Sequence, residues 1–234
     1  MTPINQLPTL IEQSIESAPK SPHTRLSPEL IANLKPIGRV RNWRRGQTLL
    51  ISGQSMTSMC ICLSGQFSAS LQSIDGHSQF LRYIADGEPF GVPSLFTDAP
   101  FPTDLVCVED GATLEISKSA FEERLKMDPN IAIALIRILA FRVTELFNLM
   151  EADLLPSLRS RVFFALRRLA YNQGLKKHSN IVILQLSQSE IASAVNASRQ
   201  KVHKELKTME VEGLLLLGYK NITLQSQFFT KISK

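Results

Sequence analysis

Residues 186–209, reading LSQSEIASAVNASRQKVHKELKTM, constrain the fold more than any other stretch. Ser187 is a favoured helix N-cap, and Glu190, three residues on, has the capping-box spacing. Apolar Ile191, Ala194 and Val195 make a short first helix. Asn196 follows, one of the few residues other than glycine that tolerates the left-handed backbone of a sharp turn. Ser198 caps a second helix, whose apolar Val202, Leu206 and Met209 recur at steps of four and three. Its other face carries Arg199, Gln200, Lys201, His203, Lys204 and Lys207. Two short helices across a tight turn, the second basic at its N-terminal end, make a helix-turn-helix pattern. Taken alone, the same residues also suit a surface helical hairpin kept in solution by its lysines.

Charge separates the two alternatives. The net charge of the 234 residues is +5, but from residue 157 onward 13 Lys and Arg stand against 4 acids, a balance of +9. Residues 1–156 carry 13 against 17, or −4. A basic C-terminal third on a mildly acidic remainder is what polyanion binding by one domain produces.

A hydrophobic content of 44% with 20% charged residues describes a globular chain with a proper core. The N-terminal stretch lacks the basic start and apolar middle of a targeting segment, and its prolines suggest a loosely ordered arm. The most apolar run, 131–141, is too short to span a membrane and contains Arg137. A soluble, cytoplasmic protein without membrane contact is expected. Cys60, Cys62 and Cys107 show neither a disulfide framework nor zinc spacing. Cys60 and Cys62 alternate with Met59, Ile61 and Leu63, so they share one strand face and are expected as buried thiols, with a redox role as the alternative.

Along the chain, residues 26–36 predict a short helix capped by Ser27 and stopped by Pro36. From 37 to 116 the texture becomes short alternating runs punctuated by glycine. Strands are expected at 48–51, 58–63, 66–71, 80–84 and 105–108, with Asp75-Gly76 as a hairpin turn, giving an antiparallel sandwich or roll. A short helix over 121–127 ends at Asp128-Pro129, and a long one of about 36 Å follows to about residue 153. Its apolar positions form more than one stripe, so two faces need partners. One is assigned to the sheet domain and the other to a sister helix in a two-fold dimer, with a monomeric bundle as the competing arrangement.

Pro156 breaks the chain and marks a hinge. An amphipathic helix over 158–171, a strand over 181–186 and a hairpin around Gly218-Tyr219-Lys220-Asn221 frame the helix-turn-helix and make it a winged one.

This layout resembles the Crp/Fnr family of bacterial transcription regulators. The resemblance covers residues 27–225 and rests on a glycine ladder (RRGQTLLISGQ, CLSGQF, DGHSQ, ADGEPFG), Leu95-Phe96, LEISKSAFEERLKMDP and SEIASAVNASRQKVHKELKTMEVEGLL. It implies an α+β protein: a cyclic-nucleotide-binding-like β-roll, a long dimerisation helix and a C-terminal winged helix-turn-helix. The corresponding boundaries are an arm over 1–25, the roll over 26–128, the dimerisation helix over 129–155 and the DNA-binding domain over 156–234. It further implies that Arg199, Gln200 and Lys204 read base edges of a palindromic duplex. Ser187, Gln188, Ser189, Ser198, Lys201 and His203 would contact phosphates. Many relatives carry Glu at the position of Gln200; an amide pairs best with adenine rather than cytosine, so a different target base is expected.

The effector pocket departs from the family pattern. Residues 90–94 read Phe-Gly-Val-Pro-Ser, so the carboxylate that holds the ribose in cyclic-AMP binders is missing. The phosphate-binding pair falls near Pro102-Thr103, no Arg lies between Asp98 and Asp110, and Leu146 and Phe147 face the site from the long helix. These departures argue against cyclic AMP. The pocket is expected to be filled by side chains, or to take an apolar or weakly polar molecule against Val92, Leu95, Leu105, Leu146, Phe147 and Met150. A haem sensor using His77 is a minor alternative, and clustered cysteines for iron–sulfur chemistry are missing. No cofactor or metal is therefore expected.

A homodimeric, sequence-specific DNA-binding regulator, working beside RNA polymerase as a further candidate partner, fits these observations best. A regulatory module acting through protein contacts is the alternative, which the basic balance and Arg199 disfavour. An enzyme is excluded by the lack of a metal-ligand set, a GxxxxGK phosphate loop or a nucleophile motif.

Overall fold

The computed structural model describes residues 24–72, 78–153, 155, 157–173, 175–177 and 181–230. They divide between Leu146 and Phe147 into two compact units, each taken by itself below.

The N-terminal unit begins with helix α1 (Pro28–Leu34), whose N-cap Ser27 accepts a hydrogen bond from the Leu30 amide. A six-stranded antiparallel sheet follows. Its strands are β1 (Arg39–Trp43), β2 (Thr48–Leu50), β3 (Ser58–Gln72), β4 (Ser78–Ile84), β5 (Pro89–Phe90) and β6 (Asp104–Ser117). The main order is β1-β6-β3-β4, with β2 paired to β6 and β5 to β3. Helix α2 (Val92–Thr97) interrupts the strands, and α3 (Lys118–Met127) leads into α4 (Pro129–Asp153), whose start and end are those expected from sequence.

Strand β3 corrects one expectation. Gly65 was expected to separate two strands, yet 58–72 is a single strand carrying register shifts between Cys62 and Phe67. Gly65 has φ +79, and a Cβ there would lie 2.6 Å from the Asp110 carbonyl oxygen. The glycine therefore permits a bulge pressed against β6 rather than a turn. Strand β6 is likewise longer than the expected 105–108, and β1 had no sequence signal of its own. The Asp75-Gly76 turn lies outside the described residues; the strands on either side of it pair antiparallel, Gln72 opposite Ser78.

The pleat of β3 feeds two cores. Met59 and Ile61 pack with Leu114, Ile116, Phe121, Ile131, Leu135 and Ile138, under the helices. Cys60, Cys62 and Phe67 pack with Trp43, Leu105 and Cys107 inside the roll. Alternation with period two sends Met59 and Ile61 to one core and Cys60 and Cys62 to the other, and the register shifts between Cys62 and Phe67 bring odd-numbered Phe67 to the cysteine side. Burial pushes the Cys60 and Cys62 thiols up to about 12, and raises Cys107 as well. At neutral pH these groups are protonated and behave as small apolar side chains.

Helix α4 has two different faces. Ile131, Leu135 and Ile138 are buried in the helix-side core. Ile136, Val143 and Met150, at seven-residue steps, are exposed, as are Leu146 and Phe147.

The second unit contains α5 (Leu158–Gln173), β7 (Leu175–Lys177), β8 (Ile181–Leu184), α6 (Gln188–Ala194), α7 (Arg199–Val211), β9 (Leu215–Gly218), β10 (Asn221–Leu224) and α8 (Ser226–Thr230). Its antiparallel sheet runs β7-β8-β10-β9. Val162, Leu166 and Leu169 of α5 are buried, as are Val202, Leu206 and Met209 of α7 and Ile222 and Leu224 of β10. Helix α8, which the sequence pattern did not reveal, closes this core: Phe228 stacks on Phe163 with ring centroids 4.3 Å apart. No helix among the described residues is long and apolar enough to cross a membrane. Pro156, expected as the hinge, lies outside the described residues.

Candidate nucleic-acid interface

The first helix of the pair starts where its residues dictate. The Ser187 hydroxyl accepts from the Glu190 amide at 3.3 Å, and a Glu190 carboxylate oxygen accepts from the Ser187 amide at 2.6 Å. Both halves of the capping box are thus made. Asn196 takes φ 49 in the turn, and the Ala197 amide closes it on the Ala192 carbonyl at 2.9 Å. Ser198 then caps α7 by accepting from the Lys201 amide at 3.4 Å.

Helix α7 buries Val202, Leu206 and Met209 and leaves Arg199, Gln200, Lys201, His203, Lys204 and Lys207 exposed. Its first turn holds no acidic residue. The positive end of the helix dipole therefore coincides with Arg199 and Lys201, an arrangement unfavourable for an isolated helix and favourable for one that meets an anion. Arg199, Lys201 and Lys204 form no ion pair among the described residues. Their charge is available to a polyanion.

The rear half of α7 is braced instead. Glu210 pairs with Lys207 at 2.8 Å and also accepts the Leu217 amide at 2.8 Å, tying the helix to β9. Those two donors hold the Glu210 carboxyl below its ordinary value, the Lys207 bond contributing most. Arg159 of α5 donates from Nη2 to both carboxylate oxygens of Glu212, at 2.7 Å each. Tyr219, 87% exposed, and Lys220, with φ 52, form the tip of the wing.

The expected phosphate contacts are not all independent. Gln188 and His203 are hydrogen-bonded to each other at 2.9 Å. Ser187 and Ser198 use their oxygens as caps, which leaves each hydroxyl hydrogen to donate to a phosphate. Ser189 is exposed on α6.

The expected effector lining is not brought together. Val92 and Leu95 belong to the helix-side core, Leu105 belongs to the core inside the roll, and Leu146, Phe147 and Met150 are exposed. A different hollow of about 170 Å³ opens on the roll, among Arg41, Trp43, Leu50, Met56, Cys60 and Phe90. The cause of the mismatch is physical: a run of apolar residues does not reveal which of two cores each will enter. His77, the haem-ligand alternative, lies outside the described residues. What sequence reasoning missed is a charged group in the same unit, Arg82, Glu88 and Arg142, assembled by the fold from β4, the loop before β5 and α4.

A β-roll with a long helix leaving it and a winged helix-turn-helix in the second unit define a two-part DNA-binding regulator. Comparison with known proteins agrees. Residues 40–128 match the family model of the cyclic nucleotide-binding domain, and residues 160–226 match that of the Crp-like helix-turn-helix domain. The CRP-like cAMP-activated global transcriptional regulator of Mycobacterium tuberculosis is 25% identical over 200 residues, 85% of this chain and 89% of that protein. The cyclic AMP receptor protein of Thermus thermophilus is 27% identical over 195 residues, 82% and 87% of the two chains. Among solved structures, the c-di-GMP responsive global regulator CLP of Xanthomonas campestris shares the fold with a TM-score of 0.70 at 20% identity, covering 86% of this chain and 100% of that one. The chain belongs to the Crp/Fnr family of transcription regulators, and its helix-turn-helix is a DNA-binding domain.

Proposed function

We propose that this protein works as a homodimer, joined through the long helix (residues 129–155 of the chain), that grips a palindromic duplex in the cytoplasm and regulates transcription without responding to cyclic AMP. The observation that carries the dimer is the open stripe of α4. Ile136, Val143 and Met150 recur every seven residues with Leu146 and Phe147 beside them, and Phe147 is 65% exposed. A seam with that period suits a second copy of the same helix, packed by two-fold symmetry. Two α7 helices held by the dyad enter successive major grooves about 34 Å apart. Arg199, Gln200 and Lys204 meet base edges there, while Lys201 and the N-terminus of α6 meet phosphates. A regulator bound at a promoter works beside RNA polymerase, the remaining candidate partner.

Insensitivity to cyclic AMP is supported by Val92, which stands at the matched carboxylate position and is packed in the helix-side core, where it offers a ribose nothing. Val143→Glu and Phe147→Glu test the dimer by sedimentation equilibrium. The wild type is expected as a dimer, and both variants as folded monomers with at least tenfold weaker binding to a two-half-site duplex. A monomeric wild type would overturn the proposal. A calorimetric titration with cyclic AMP is expected to give no heat of binding.

A further inference from the structure

Strands β1 and β6 turn one face toward a hollow in the N-terminal unit. Arg41 stands opposite Thr113 across the β1–β6 pairing, and two-residue alternation puts Trp43 and Glu115 on that same face. The hollow, about 170 Å³, lies among them, with Leu50, Met56, Cys60 and Phe90 as its apolar wall. Its lining holds none of the residues matched to the cyclic-nucleotide site, Val92, Pro102 and Thr103, and none from α4. The volume lies under the roughly 300–1,000 Å³ that takes a drug-sized ligand, so its guest is small.

The polar groups at its mouth are held in place yet unspent. Arg41 Cζ sits 4.0 Å from the centre of the Trp43 ring, a cation–π contact that positions the guanidinium. The indole nitrogen donates to the buried Thr113 hydroxyl at 2.9 Å, which fixes the ring and leaves the hydroxyl its own hydrogen to donate. Glu115 approaches Arg41 but stops short. Its Oε1 is 3.6 Å from Nη1, beyond hydrogen-bond reach, and the two side chains remain 28% and 57% exposed. So open a pair contributes little to stability, and separating it costs little. The mouth therefore offers one cation and one anion, side by side over an apolar wall.

We propose that this hollow binds a small zwitterion with an apolar tail, an α-amino acid with an aliphatic or phenyl side chain. Such a molecule carries its carboxylate and its ammonium on one carbon, which also bears the side chain. At the mouth, the carboxylate accepts from Arg41 and Thr113 and the ammonium donates to Glu115, each at about 2.8 Å. The four charges then alternate in sign around a closed ring. A lone anion would face Glu115, and a lone cation would face Arg41, so neither gains as much. The side chain enters the hollow against Leu50, Met56 and Phe90, where its removal from water adds to the binding.

Trp43 is the chain's single tryptophan, so its emission reports on this site directly. The test titrates the full-length protein with L-leucine and L-phenylalanine at fixed ionic strength while the indole is excited selectively. At least one of them is expected to change the Trp43 emission saturably, at millimolar concentration or below. Isoamylamine and isocaproate carry leucine's side chain with one charge each, and both are expected to bind at least tenfold more weakly. Glycine, with both charges and no side chain, is expected to give no saturable change. Arg41→Met and Glu115→Gln are each expected to raise the half-saturating concentration at least tenfold, while Arg199→Ala leaves it unchanged. The site is refuted if neither amino acid gives a saturable change. Equal binding of glycine or of either single-charge analogue also refutes it. Unchanged binding by either rim variant, or loss of binding in Arg199→Ala, would place the guest elsewhere. Should a rim variant fail to fold, the analogue series on the wild-type protein still decides.

Discussion

His203 Nδ1 lies 2.9 Å from Gln188 Oε1, so a side chain on the second turn of α7 is hydrogen-bonded to the first residue of α6. The bond spans the turn that sets the angle between the two helices. Groups expected to meet phosphates separately are therefore one unit, each holding the other in place. Gln188→Ala and His203→Ala are each expected to weaken duplex binding by about 0.5–1.5 kcal/mol. Because each leaves the other without its partner, the double variant should lose less than the two singles added together. Anisotropy titrations on the four proteins measure the coupling, and strict additivity would show that the bond positions nothing.

Arg199 and Lys201 sit two residues apart at the same helix end but are expected to behave differently. Arg199 presents a fork suited to guanine O6 and N7, so Arg199→Ala should cost about 1–3 kcal/mol on the preferred site and erase preference at one base position. Lys201 offers a point charge to the backbone, so Lys201→Ala should weaken all sequences alike and reduce the salt slope by about 1. Gln200→Glu should move the preference at its own position from adenine toward cytosine. Selection of bound sites from random DNA, repeated at two salt concentrations, separates the three. A Lys201→Ala protein with altered sequence preference would contradict the assignment.

What could be seen in the sequence was whatever short-range chemistry determines. Ser187 with Glu190, Asn196, and Ser198 define caps and a turn within a few residues of themselves, and the structure forms each as expected. The long helix was equally plain, because its start at Pro129 and its two apolar stripes are local patterns. Gly65 misled because a glycine that ends a strand and a glycine that lets two strands press together look alike until the partner strand is known. The effector lining failed for a similar reason: Val92 and Leu105 are equally apolar but enter different cores. Arg82, Glu88 and Arg142 carried no motif at all, since only the folding of α4 against the roll places them together.

Glu210 gives the interface a predictable response to acid. Its carboxylate accepts from Lys207 and from the Leu217 amide, and both bonds favour the ionised form, so its folded value lies below the ordinary carboxylate value of 4.5. Native protein then binds this proton less readily than unfolded chain does. The resulting stabilisation is complete above the unfolded value and disappears as pH falls through the folded one. Glu210→Gln keeps the shape and an oxygen for the Leu217 amide but removes both the titration and the charge opposite Lys207. The variant should therefore melt below the wild type at pH 7, with the gap closing as the pH is lowered from 5 toward 3. Added salt should shrink the gap at neutral pH, because the Lys207 pair is open to solvent. Melting temperatures of the two proteins across that range decide the matter: a difference that stays constant with pH would mean that Glu210 braces β9 by shape alone.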